Sequence, residues 1–115
     1  MPLLTLTTNV TLDATQQSAL MAVLSATVSK LLGKPESYVM VMLRPDRAMM
    51  MGGTDEPCAF VELKSLGLPE GDSAGFSEIL CDTISEQIGV AANRIYIEFS
   101  NPARHLWGWD RGTFG

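Results

Sequence analysis

Hydrophobic and polar positions along this chain follow a strand period and then a helix period, and this order occurs twice. The stretch Pro2–Thr8 is β-rich, with no glycine and no charge, and predicts a strand. After it, apolar residues recur every three or four positions, which predicts an amphipathic helix. Asp13 and Gln16 have the spacing of a capping box, and Gly33 followed by Pro35 predicts the end of the helix.

The second half repeats this order. A helix is predicted from Asp72 or Ser73 to a glycine cap at Gly89, because its apolar residues share one face. The stretch Tyr38–Leu43 is apolar throughout and predicts a strand that is buried on both faces. Three further stretches are predicted to be strands. They are Ala48–Met51, a short edge strand before the Gly52-Gly53 turn, Cys58–Leu66, which alternates from Val61 onward, and Ile95–Ser100. The tail after Asn101-Pro102 contains aromatic residues and glycines and is predicted to be irregular.

This repeat predicts an α+β fold of the order βαββαβ. Right-handed crossovers place both helices on one face of a single four-stranded sheet. The other face of the sheet is then bare. Because Tyr38–Leu43 is apolar on both sides, that face needs a cover, and only further copies of the chain supply one. The pattern therefore predicts an oligomer.

Composition limits the classes of function. With 115 residues and 46% apolar residues, the chain is expected to form one domain over residues 1–115. Its net charge of −5 argues against nucleic acid and anionic membranes as partners. No apolar run is long enough to span a bilayer, and no signal-peptide pattern opens the chain. We expect a cytoplasmic protein, and secretion by a route without a signal peptide stays open.

The usual catalytic and cofactor motifs are missing from the sequence. Cys58 and Cys81 are expected to be reduced thiols, and the single histidine, His105, has no partners at metal-ligand spacing. We therefore expect neither a metal nor a cofactor.

Pro2 is the first candidate for chemistry. An initiator methionine before a small residue such as proline is normally removed, which turns the Pro2 nitrogen into a free secondary amine. An α-amino group has a pKa of roughly 7.7–8.0. Burial and a nearby cation lower that pKa and give an uncharged base near neutral pH. The alternative is that Pro2 is merely the second residue, without a chemical role.

Short motifs follow one another along the whole chain: Pro2 at a strand start, Thr8-Asn9-Val10, Gly33-Lys34-Pro35, Gly52-Gly53, Glu56-Pro57-Cys58-Ala59, Arg94-Ile95-Tyr96-Ile97, Gly108-Trp109 and Thr113-Phe114. In this order they resemble the macrophage migration inhibitory factor family of tautomerases. The resemblance implies a homotrimer of βαββαβ subunits with active sites at the subunit interfaces. It also implies keto–enol tautomerisation of phenylpyruvate-like acids and dopachrome esters, without a cofactor.

The resemblance also implies roles for single residues. Pro2 acts as base and then as acid, and Lys34 binds the substrate carboxylate and lowers the proline pKa. Leu66 stands where the family has an isoleucine whose main-chain amide helps to hold the substrate. Tyr96 matches a tyrosine that the neighbouring subunit donates. Two alternatives stay open: Lys34 as a solvated lysine that a helix C-terminus favours, and Tyr96 as a core aromatic of the sheet.

Four aromatic residues are candidates for the pocket wall, and core or interface packing would account for each equally well. They are Tyr38, Trp107, Trp109 and Phe114.

Three positions depart from the family pattern. Glu98 replaces an asparagine that lines the pocket, and Lys64 replaces a nearby histidine and offsets that added negative charge. Val61 replaces the second cysteine of the family's Cys-x-x-Cys motif, so Cys58 stands alone. Thiol–protein oxidoreductase activity is therefore not expected.

Two classes of function follow from these residues. The first is an isomerase of the phenylpyruvate tautomerase or dopachrome isomerase type, with an aryl-pyruvate-like acid as its substrate. The second is a cytokine-like protein that signals by binding a receptor and whose pocket is structural, although no receptor surface is recognisable. A trimer that binds such ligands without turnover would differ from the enzyme only kinetically.

Overall fold

The strands and helices follow the predicted order. The computed structural model describes all 115 residues. The principal elements are β1 (Leu3–Thr8), α1 (Ala14–Leu32), β2 (Met40–Arg44), β3 (Ala59–Lys64), α2 (Ser73–Ile88), β4 (Ile95–Ser100), β5 (Gly108–Trp109) and β6 (Gly112–Thr113). Short 3-10 turns lie at Glu36–Tyr38, Glu70–Asp72, Ala92–Arg94 and Arg104–Leu106. No helix combines the length and hydropathy that crossing a lipid bilayer requires.

One mixed sheet joins the two halves, in the strand order β2-β1-β3-β4. β1 pairs parallel with β2, β3 pairs parallel with β4, and the two halves meet antiparallel at β1 and β3. Leu4 and Leu6 of β1 share one core with Leu24 of α1 and Leu80 of α2. Both helices therefore cover the same face of the sheet, and the predicted βαββαβ fold is confirmed.

The opposite face of the sheet, called here the open face, carries a mixture of apolar and polar side chains. The strand registers place three residues of each strand on it: Leu3, Thr5 and Thr7, Met40, Met42 and Arg44, Phe60, Glu62 and Lys64, and Tyr96, Glu98 and Ser100. Met40 is 60% exposed and Tyr96 is 66% exposed. The open face is therefore apolar at β2 but polar through much of its centre.

The prediction that Tyr38–Leu43 is a strand buried on both faces is wrong in two respects. Tyr38 ends the 3-10 turn, and the strand begins at Met40. Met40 and Met42 are exposed, while Val41 and Leu43 are only half-buried. The physical reason is that β2 is an edge strand, since it pairs with β1 alone and has no neighbour of its own chain on its other side.

Two other predictions differ from the structure: the strand Ala48–Met51 and the irregular tail. Ala48–Met51 forms no strand, because the only pairing there is an isolated bridge from Met51 to Thr54 around the two glycines. The tail is more regular than predicted, because β5 and β6 form a hairpin. Its two loop residues, Asp110 and Arg111, have φ values of 47° and 69°, as a type I′ hairpin turn requires.

The predicted ends of α1 are confirmed. The Asp13 carboxylate accepts a hydrogen bond from the Gln16 main-chain N–H at 2.7 Å, and the Gln16 side chain accepts one from the Asp13 N–H at 2.9 Å. Gly33 ends the helix in the left-handed conformation, with φ 61°. Gly89 ends α2 in the same way, with φ 73°.

Loss of the capping box should destabilise the fold without touching its core. We expect Asp13→Ala to lower the free energy of unfolding by ~1 kcal/mol, because the Gln16 main-chain N–H loses the carboxylate that accepts its hydrogen bond. Urea unfolding at one fixed protein concentration measures this, so that self-association does not shift the comparison. Asp82→Ala, an exposed position within α2, is the control and should change the value by less than ~0.5 kcal/mol. Equal losses in both variants would contradict a capping contribution from Asp13.

Candidate active site

A pocket of about 410 Å³ opens at the start of β1. Three parts of the chain form its wall: the amino-terminal residues, the 3-10 turn that leads into β2, and the carboxy-terminal segment. The lining residues are Met1, Pro2, Leu3, Ser37, Tyr38, Val39, Met40, Trp107, Gly108, Trp109 and Phe114. Eight of these eleven residues are hydrophobic, so the pocket suits an apolar or aromatic group.

Pro2 lines this pocket and its side chain is fully buried. Its carbonyl oxygen accepts a hydrogen bond from the Met40 main-chain N–H at 3.0 Å, which fixes it to the start of β2. Met1 precedes it and also lines the pocket. With Met1 in place, the Pro2 nitrogen is an amide, and Met1 carries the free amine.

Lys34 lies just beyond the end of α1, and its ammonium group points to the loop after β3. Its Nζ donates a hydrogen bond to the carbonyl oxygen of Leu66 at 2.5 Å. The main chain at Lys34 is held in turn by Ser29, whose hydroxyl donates to the Lys34 carbonyl oxygen at 2.6 Å. Leu66 itself is buried. The helix end therefore holds a positive charge in a defined position beside the amino terminus.

The environment of the amino terminus favours an uncharged amine. The pKa of the Met1 ammonium group is lowered from 8.0 to about 6. Burial is the largest cause, and the positive charge of Lys34, its hydrogen bond to the amine and the charge of Arg104 follow. At neutral pH most of this amine is therefore free to accept a proton.

Three aromatic rings form one side of the pocket. Trp109 stacks on Phe114, with ring centroids 5.8 Å apart and an interplanar angle of 13°. The Tyr38 ring meets Trp109 edge-on, with centroids 6.4 Å apart. These rings and Trp107 are exposed or half-buried, and none belongs to the buried core. Of the explanations for the four aromatic residues, packing in the core of this chain is therefore excluded.

Arg104 holds the carboxy-terminal segment in place, a role that the sequence does not suggest. Its Nε donates a hydrogen bond to the Phe114 carbonyl oxygen at 3.1 Å. The Phe114 N–H donates to the Trp107 carbonyl oxygen at 3.2 Å. Nothing in the sequence pattern signals a pairing across ten residues. The only hint is a basic residue close before two pocket aromatics.

Five predicted site residues do not line the pocket of their own chain: Lys34 and Leu66, described above, and Lys64, Tyr96 and Glu98. Lys64, Glu98 and Tyr96 all lie on the open face of the sheet, where Lys64 pairs in register with Leu3 and Glu98 with Glu62. Tyr96 is 66% exposed, so the alternative interpretation as a core aromatic is wrong. None of these three residues lines the pocket, although two other residues of the open face, Leu3 and Met40, do.

The thiols and acidic residues are not grouped in a way that suits a metal ion. Cys58 is buried, and Val61, which takes the place of the family's second cysteine, is fully buried. No group of three His, Cys, Asp or Glu side chains is placed to hold a metal ion.

Comparison with known proteins gives one consistent result. The family model of macrophage migration inhibitory factor (MIF) matches residues 1–115. The macrophage migration inhibitory factor of Xenopus tropicalis is 37% identical over 117 residues, which cover 99% of each chain. The homologue of Brugia malayi is 35% identical over the whole of both chains. Among solved structures, the homologue from Prochlorococcus marinus superposes with a TM-score of 0.92 at 39% identity, covering 98% of this chain and 99% of that one.

Removal of the Lys34 charge should raise the pKa of the amino-terminal amine from about 6 toward 8.0. The sign follows because a nearby cation disfavours the ammonium form, so its loss favours protonation. Part of the lowering should persist in Lys34→Ala, since burial is the larger cause. An NMR titration of the isotope-labelled amine measures this directly. Lys30→Ala removes an exposed lysine from the last turn of the same helix and should leave the pKa unchanged. An unchanged pKa in the Lys34 variant would contradict the electrostatic coupling.

Proposed function

The chain belongs to the macrophage migration inhibitory factor family of the tautomerase superfamily, and on this basis we propose that it is a keto–enol tautomerase of phenylpyruvate-type acids. Dopachrome esters are a second substrate class that the resemblance implies. The observation that carries the proposal is the buried Pro2 in the lining of an aromatic pocket, at an amino terminus where burial and the nearby Lys34 depress the pKa of the amine.

Pro2 is the proposed general base and acid. Removal of Met1 makes its nitrogen a secondary amine at the position where the pocket begins. The neutral amine takes a proton from the carbon beside the keto group, and the resulting ammonium returns a proton to the carbonyl oxygen. In the opposite direction the same amine takes the enol proton and delivers a proton to carbon. A base with a pKa near the working pH performs both transfers well.

Lys34 and Leu66 are the proposed groups that hold the carboxylate end of the substrate. The Lys34 ammonium is fixed by its bond to the Leu66 carbonyl oxygen, so it is oriented before a substrate arrives. A fixed positive charge stabilises both the carboxylate and the negative charge that develops on the enolate oxygen. The resemblance assigns the Leu66 main-chain N–H a further contact with the substrate.

The aromatic wall is the proposed binding surface for the aryl ring. Tyr38, Trp109 and Phe114 present ring faces and edges to a pocket of about 410 Å³. This volume falls within the range of about 300–1,000 Å³ that is usual for small-molecule sites. Trp107 completes the lining near Pro2.

A homotrimer is the proposed assembly, and in it Tyr96, Glu98 and Lys64 would contribute to a binding pocket. Tyr96, Glu98 and Lys64 project from the open face and do not line the pocket of their own chain. In the assembly that the resemblance implies, such residues complete the pocket of a neighbouring subunit. The exposure of Met40 and Met42, at the β2 edge of the same face, supports burial of this face against another copy.

Activity should follow the fraction of chains that have lost Met1. A retained Met1 turns the Pro2 nitrogen into an amide without useful basicity and also occupies part of the pocket. General base catalysis contributes about 10²–10⁴-fold, so we expect a loss of at least that order in untrimmed protein. Matched samples, each verified by intact mass, are assayed for ketonisation of phenylenolpyruvate.

Pro2→Gly is the companion variant for this assay, because a trimmed chain that begins with glycine keeps a free amine at the same place. It should retain more activity than the untrimmed chain. Equal rates in trimmed and untrimmed protein would remove Pro2 from the mechanism. Ligand binding by trimmed protein without any turnover would favour the binding role over the enzyme.

Self-association should depend on the open face. We expect the trimmed chain to sediment as a trimer at micromolar concentration and Met42→Glu to shift it toward monomer. The variant adds a carboxylate to the sheet row that already contains Glu62 and Glu98. Ala22→Glu, at an exposed position on α1, adds the same charge elsewhere and should leave the trimer intact. A wild-type monomer, or a trimer unaffected by Met42→Glu, would contradict the assembly through this face.

A further inference from the structure

Arg104 is a second cation close to the pocket, on a different part of the chain from Lys34. Lys34 follows α1, whereas Arg104 begins the turn Arg104–Leu106 that leads into the carboxy-terminal segment. Its Nε is hydrogen-bonded to the main chain of Phe114, and both Phe114 and Trp107 line the pocket. The Arg104 guanidinium group is thus held by a hydrogen bond to the main chain of Phe114, a residue that lines the pocket.

The charge of Arg104 acts on the pocket and is not neutralised by the bond that holds it. Its partner is a main-chain carbonyl oxygen, which carries no net charge. The same is true of Lys34, whose partner is the Leu66 carbonyl oxygen. Both cations lower the pKa of the Met1 amine, so both positive charges act on the amino terminus, which lines the pocket.

Within its own chain, the lining of the pocket contains no acidic residue to oppose these charges. In the proposed trimer, Glu98 of a neighbouring subunit enters together with Lys64, whose positive charge offsets it. Glu36 and Asp110 each adjoin a lining residue in the sequence, but neither lines the pocket, and both are exposed. One cation is sufficient to hold the carboxylate of a simple aryl keto acid. The second cation is therefore available to another negative group of the substrate.

We propose that Arg104 is a specificity-determining residue that selects substrates with a second anionic group, on the end of the molecule away from the keto acid. This inference rests on the proposed tautomerase function. With the keto acid at Lys34 and the amine, the ring lies along the wall formed by Trp109 and Phe114. Arg104 is attached to this wall, so an anionic group on the ring approaches its guanidinium.

The test compares two substrates of the same size that differ in one charge. They are phenylpyruvates that carry either a carboxylate or a carboxamide opposite the side chain on the ring. The measured quantity is the ratio of kcat/KM for the carboxylate to kcat/KM for the carboxamide, in trimmed protein. Both substrates use the same amine, so a change in its pKa cancels in the ratio.

Wild-type protein should prefer the carboxylate by about fivefold, the effect expected of one exposed ion pair. Arg104→Gln keeps an N–H donor near Phe114 but removes the charge, and should abolish the preference. Arg104→Lys keeps the charge and should retain most of it. High salt should reduce the wild-type preference because it screens exposed charges. Arg47→Gln removes an exposed arginine near the opposite end of β1 and should leave the preference unchanged.

Binding of unreactive ligands separates this inference from the tautomerase proposal. Both tryptophans of the chain, Trp107 and Trp109, line the pocket, so intrinsic fluorescence reports its occupancy. The probes are cinnamate carrying a carboxylate or a carboxamide at the same ring position. If the protein shows no turnover but binds the charged ligand better, and Arg104→Gln removes this preference, the tautomerase proposal is contradicted and the role of Arg104 is supported. Turnover without any charge preference, or equal losses of preference in Arg104→Lys and Arg104→Gln, would overturn the role of Arg104.

Discussion

The position of β1 in the middle of the sheet is the constraint on which the site depends. Because β1 pairs with β2 on one side and β3 on the other, its first residues cannot leave the sheet without breaking both ladders. The bond from the Met40 N–H to the Pro2 carbonyl oxygen extends this restraint to the amino terminus. Burial, the largest cause of the lowered amine pKa, is therefore a consequence of strand order.

Local features of the fold could be predicted from the sequence because their causes are local. Asp13, Gln16 and Gly33 determine the ends of α1 within a few residues of chain, and the structure shows the bonds that their spacing predicts. The stretch Tyr38–Leu43 was a different case. An apolar run predicts that a strand is buried, but it does not show whether the strand that pairs with it belongs to the same chain or to another copy. For β2, this chain supplies one neighbour and leaves the outer edge free.

The candidate site was only partly predictable for a related reason. Pro2 and Lys34 were recognised through short motifs that resemble a family, and the structure places both beside the same amine. The contact between Arg104 and Phe114 depends on the hairpin that brings the end of the chain back to the turn before Trp107. Two adjacent residues of that hairpin, Asp110 and Arg111, adopt left-handed conformations that glycine and asparagine more commonly provide. The usual turn signal was therefore absent.

The free edge of β2 exposes main-chain hydrogen-bonding groups to which strands of other chains can add. The sequence Met40-Val41-Met42-Leu43 is an uncharged β-forming run on an unprotected strand, which is a template for adding foreign strands and a starting point for aggregates. Arg44 and Pro45 directly follow this run, and a charge and a residue without an N–H are the usual gatekeepers against such growth. These two residues thus limit the growth of aggregates from the free edge of β2.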